Sequence, residues 1–266
     1  MAYYNEVMRN DIITMCRGLL ENRAMFLRDV DGKLKIDGKT GWQTPWVHVK
    51  QGNRANCTLW NTVMFQNIFN AVPFSMKKGR AWVPSGCQSC WKVVVRPPTL
   101  KALFALEALQ KRLDRECKCG IEQRKHVFGL YGGYFYNRSY EEGMARYQEV
   151  RQAVDDDPEL GPDVSVILKR GCTEMEHAVG PSNEWQVYPE QIEIEKLVHR
   201  TVSTDHEIRR QPPHGKNYVH GRWIRFAYQW GDETVKEYID TAMPLYPPYV
   251  TYHDKEVKGD DENSIS

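Results

Sequence analysis

Between Gly38 and Leu106 the chain contains no aspartate or glutamate. With 35 acids in 266 residues, a window of that length should hold about nine of them. It holds instead Lys39, Lys50, Arg54, Lys77, Lys78, Arg80, Lys92, Arg96 and Lys101, a charge of +9. Residues 1 to 37 balance at zero, so residues 107 to 266 carry −8 behind a formal net charge of +1. If these cations share a face, they set up a field of one sign that attracts an anionic partner.

Other absences narrow the class further. No run approaches the roughly 18 consecutive apolar residues of a membrane helix. The N-terminus, with Glu6 and Asp11 in its first turns, lacks the apolar core of a secretory leader. The expectation is a cytoplasmic protein that does not span a membrane. Seven cysteines are an odd number for a disulfide framework, and the closest pairs have spacings that favour ligation over cross-linking. There is no internal repeat, no low-complexity tract and no Walker or dinucleotide fingerprint. The C-x3-C-x2-C triad of radical enzymes is also absent. What is present, 41% hydrophobic and 11% aromatic residues with a mean hydropathy of −0.63, is the composition of a globular protein with a very polar surface.

The centre of the chain alternates its hydrophobic period. Trp91-Lys-Val-Val-Val-Arg96 is β-branched and reads as a strand. A helix is expected over about 99–115, capped by Thr99, and a strand over about 118–124. A loop follows, then a helix over about 139–154, with Ser139 and Glu142 as a capping box, and a strand over 164–169. This order predicts an α/β fold whose centre is a parallel β-α-β-α-β unit with right-handed crossovers and mixed α+β extensions at both ends. Residues 1–80 are expected to form a mixed helix and hairpin region, with Asp31-Gly32 as the hairpin turn. Residues 81–178 would be the core, 179–254 an α+β extension and 255–266 a polar tail. Within the extension the pattern predicts a helix over about 189–202, a strand from Arg222 to Trp230 and a short helix from Asp232.

On a parallel sheet Cys87, Cys90, Cys117 and Cys119 all fall at the N-terminal edges of their strands. Four thiolates gathered there would bind a metal, with structural zinc favoured and an iron–sulfur cluster as the alternative. Cys172 follows the third strand and would belong to the opposite edge. Ligands of open parallel sheets bind at that opposite edge. It would carry the loop with Gly129, Gly132, Gly133 and Arg138, where glycines admit close approach to backbone N–H groups, and Cys172, Glu174 and His177 as a candidate nucleophile with bases. His199, His206, His214 and His220 are irregularly spaced and read as surface residues.

Two functions follow. The first is a metal-binding protein that binds a polyanion, nucleic acid above all, through a basic aromatic face on which Lys77, Lys78 and Arg80 meet phosphates and Trp42, Trp46, Trp60, Trp82 and Trp91 stack on bases. Residues 200 to 225, with a charge of +4, would extend that face. The alternative is an enzyme acting on a small anionic substrate at the glycine-rich loop, in one form an iron–sulfur oxidoreductase.

Overall fold

The computed structural model describes residues 27–30, 33–36, 48–51, 69, 77, 80–124, 127–203, 211 and 213–239. Three short strands, β1 (Leu27–Val30), β2 (Lys33–Ile36) and β8 (Val202–Ser203), form a small sheet in the order β1-β2-β8. Val30 pairs with Lys33 across the expected hairpin. The expected helices over Tyr3 to Phe26 and from Thr58 to Pro73 lie outside the described residues, apart from Phe69.

The main sheet contains β3 (His48–Gln51), β4 (Trp91–Arg96), β5 (Cys117–Ile121), β6 (Tyr131–Asn137) and β7 (Ser165–Arg170), in the order β3-β5-β6-β4-β7. Every neighbouring pair is antiparallel. The expected parallel sheet is therefore wrong, and one strand explains why. Residues 131–137, read from sequence as part of a glycine-rich loop, form β6, the strand that pairs with both β4 and β5. The path becomes β-α-β-β-α-β, a split β-α-β unit, and the extra reversal turns β7 antiparallel to β4.

The elements themselves follow their sequence signals. Three valines build β4, and Pro97-Pro98 ends it because proline has no N–H for the ladder. Helix α1 (Ser85–Gln88) is a single turn before β4. Thr99 caps α2 (Leu100–Leu113), accepting from the Ala102 N–H at 3.1 Å. The Asp232 carboxylate accepts a second N–H of that end, from Leu100 at 2.6 Å, and also the Tyr131 hydroxyl at 2.7 Å. These bonds satisfy donors that a helix start leaves without partners. Ser139 caps α3 (Tyr140–Asp155), accepting from Glu142 N–H, while the Glu142 carboxylate reaches back to the N–H of Arg138 rather than to that of Ser139. Gly143 of α3 lets Trp91 and Leu168 approach, since a Cβ there would lie 3.1 Å from Trp91 Cβ.

Both helices cover one face of the sheet. Leu100, Leu103, Leu106 and Leu109 of α2 and Val150 and Val154 of α3 pack on Val93, Val95, Cys117, Cys119, Ile121, Tyr131, Phe135 and Val166. Helix α4 (Thr173–Val179) follows β7, and α5 (Pro189–Thr201) agrees with the expected helix. The segment expected as a strand from Arg222 is the second half of helix α6 (Pro213–Trp230). Its buried residues Val219, Trp223 and Ala227 repeat every four positions, the period of a helix stripe. His220, read as a surface residue, contacts Glu107 of α2 at 2.7 Å and packs on Phe104. Among the described residues no helix is long and apolar enough to cross a membrane.

Candidate functional site: a cationic sheet face

Side chains alternate across a strand, so fixing one face fixes the other. With Val93, Val95, Cys117, Cys119, Tyr131 and Phe135 under the helices, Lys92, Arg96, Lys118, Glu122, Tyr134 and Tyr136 point the other way, where His48 of β3 meets Tyr134 edge-on at 6.5 Å. Tyr134 is the centre of this group. Arg96 and Lys118 lie over its ring at 5.6 and 5.3 Å, and its hydroxyl donates to Glu122 Oε2 at 2.7 Å. Arg96 and Arg124 donate to the Tyr134 oxygen at 3.2 and 3.1 Å. Gly132 makes the arrangement possible, because a Cβ there would stand 2.7 Å from the Arg96 guanidinium and 2.9 Å from the Tyr134 oxygen.

The charges do not balance. Glu122 is bound by Arg124 through both carboxylate oxygens and lies 3.9 Å from Arg96, so two arginines share one carboxylate. Burial pushes the Glu122 carboxyl upward, but the hydrogen bonds from Arg124 and Tyr134 and the Arg124 charge outweigh it and hold it at about 2. Among the described residues Lys92 and Lys118 have no carboxylate partner. Lys92 is buried, donates to Cys172 Sγ at 2.9 Å and lies 5.6 Å from the Tyr136 ring centre. Burial, with Lys92, Lys50 and Arg124 nearby, lowers the Lys118 ammonium to about 8. Burial and the charges of Lys118 and Lys50 also hold His48 well below its ordinary value, so it adds no charge at neutral pH.

The residues singled out from sequence are distributed otherwise. Gly132 and Gly133 belong to β6 and serve packing, since a Cβ on Gly133 would stand 2.4 Å from Leu106. Gly129 takes a left-handed turn (φ 87°) at the start of that strand and Arg138 is exposed at its far end. Lys77 donates to the Phe69 carbonyl at 2.8 Å and Arg80 stacks on Tyr188 at 4.7 Å, while Lys78 lies outside the described residues. Trp82 is buried, and Trp91 packs on Tyr140, so neither is displayed for stacking. Cys172 meets Lys92 rather than His177, which is exposed, and the Glu174 side chain lies outside the described residues.

The four cysteines are not brought together. Cys117 and Cys119 sit under α2 on the helix face, two strands from β4 or roughly 10 Å away, whereas Cys90 precedes Lys92 on the other face by alternation. Among the described residues no three metal-ligating side chains are gathered about one point. The residues that sequence reasoning missed, Lys118, Glu122, Arg124 and Tyr134, did carry a signal. Polar residues at 118, 122 and 124 alternate with Cys117, Cys119 and Ile121, the mark of a strand with two different faces. Comparison of the chain with protein-family models, curated proteins and solved structures finds no match.

Proposed function

We propose that this protein binds a phosphate-bearing polymer, single-stranded nucleic acid, with its phosphates on Lys92, Arg96, Lys118 and Arg124. The observation that carries the reading is the pair of lysines held on the sheet face without a carboxylate partner among the described residues. Holding Lys92 and the half-buried Lys118 on one face without a carboxylate costs stability, so cations in this position fit a bound anion better than a structural role. Helix α6, which packs on the opposite, helix-covered side of the sheet, carries Lys216, Arg222 and Arg225 with no acidic residue. A cleft between α6 and the end of β5 is lined by Gln123, Tyr218, Arg222, Arg225 and Phe226.

A second reading, an enzyme or receptor for a small anionic ligand, is favoured by depth. Tyr134 is 6% exposed and Lys92 9%, so a single phosphate group reaches these cations more readily than a stacked base. Anisotropy of a labelled single-stranded oligonucleotide, measured between 50 and 200 mM salt, separates the two. With four phosphate contacts the affinity should fall with a log–log slope of about −3 for a single strand. No binding at 50 mM salt, with pyrophosphate still raising the melting temperature, would leave only the small-ligand reading. If neither ligand acts, both readings fail.

A further inference from the structure

The antiparallel register moves Cys172 from the far edge of the sheet to the side of Cys90. Trp91 pairs with Arg170, so the residue before β4 and the residues after β7 are neighbours, and the Gly171 N–H donates to the Cys90 carbonyl at 2.7 Å. Arg170 secures the same junction by donating to the Gln88 carbonyl at 2.7 Å. Cys90 shares the face of Lys92 by alternation, and Lys92 donates to Cys172 Sγ at 2.9 Å. Cys87 lies one turn earlier, its carbonyl accepting the Cys90 N–H at 3.3 Å. It packs with Val83, Met175 and Trp185, the cluster against which Cys172 also rests.

We infer that Cys87, Cys90 and Cys172 form the protein ligand set of a thiophilic metal centre, zinc or an iron–sulfur cluster, and that Cys117 and Cys119 take no part in it. The C-x-x-C turn supplies two thiolates at the spacing that metal knuckles use, and the loop after β7 supplies the third. Each thiol loses its proton to solvent on ligation. Three protein ligands leave a further position for solvent or ligand, as catalytic sites do. The sulfurs are not gathered about one point in this structure, so ligation requires side-chain rotation. Cys117 and Cys119 lie on the other face of the sheet, under α2. Burial in the helix-face core pushes both thiols up, Cys117 to about 12, as expected of cysteines packed as small hydrophobes.

This inference does not depend on nucleic-acid binding. Zinc, iron and sulfide are measured in the anaerobically purified chain and in Cys90→Ser, Cys172→Ser and Cys117→Ala variants. The parent and Cys117→Ala should hold the same metal content, and Cys90→Ser and Cys172→Ser should lose most of it. In case the serine variants fold poorly, alkylation of the parent with and without a chelator gives a second readout, with Cys172 modified faster once metal is removed. A Cys172→Ser variant that keeps parental metal, a parent that holds no metal as purified and takes up no cobalt(II), or chelation that leaves Cys172 alkylation unchanged would each overturn the assignment.

Discussion

Lys118 places an ammonium among Lys92, Lys50 and Arg124, and its titration carries the clearest residue-scale prediction. In the free protein its proton is lost above about 8, against 10.4 or so in an unfolded chain. A phosphate on Lys118 favours the charged form, so binding between these values takes up a proton. Affinity for an anion should therefore fall as pH rises above 8, by up to about tenfold per unit, and Lys118→Arg should flatten that fall because arginine stays charged. Anisotropy at pH 7, 8 and 9 measures it. Glu122 works in the opposite sense. Its carboxyl is held at about 2, below its unfolded value, so its contribution is complete above roughly pH 4.5 and is lost as pH falls toward 2. Glu122→Gln should cost about 2–3 kcal/mol at pH 6 in urea unfolding, and the gap to the parent should narrow below about pH 4 and close only as pH falls to about 2.

At the scale of elements, β6 decides both the fold and the site. Its two glycines face opposite ways and should fail differently. Gly133→Ala presses a Cβ into Leu106 of the core and should lower stability by about 1–3 kcal/mol with ligand affinity retained. Gly132→Ala meets the Arg96 guanidinium and the hydroxyl end of the buried Tyr134, so it should weaken binding and, by disturbing the bonds to Glu122, lower the melting temperature modestly as well. The same strand marks where sequence was legible and where it was not. Local signals set Trp91–Arg96 and the Thr99 and Ser139 caps, because β-branching and capping act over a few residues. Tyr131-Gly-Gly-Tyr-Phe-Tyr-Asn137 has the aromatics of a strand, but its glycines carry the loop signal, and their reason, room for Arg96 and Leu106, comes from residues distant in sequence. Missing that one strand reversed the direction of β7 and sent Cys172 to the wrong edge. In α6, Arg222 to Trp230 offered aromatics that suit a strand, yet the four-residue repeat through Val219, Trp223 and Ala227 was the stronger pattern.

At the scale of the whole molecule, the acid-free window was legible as charge and illegible as a surface. Part of it is matched internally, for Lys101 pairs with Glu159 and Glu237, and Arg96 approaches Glu122, all acids from beyond the window. Among the described residues of the window, Lys92 and Arg96 sit on the sheet face, where Lys118 of β5 and Arg124 just beyond it join them, a grouping made by strand order rather than by chain position. The central claim is that these cations serve a ligand at the expense of the fold. Lys118→Met tests it most directly, because methionine keeps the length of the side chain and removes its charge. Chemical denaturation and oligonucleotide anisotropy on the same protein should show stability raised by about 1–2 kcal/mol and affinity lowered at least about tenfold. A Lys118→Met protein that is less stable than the parent and binds the oligonucleotide as well would make the lysine a structural residue and contradict the account.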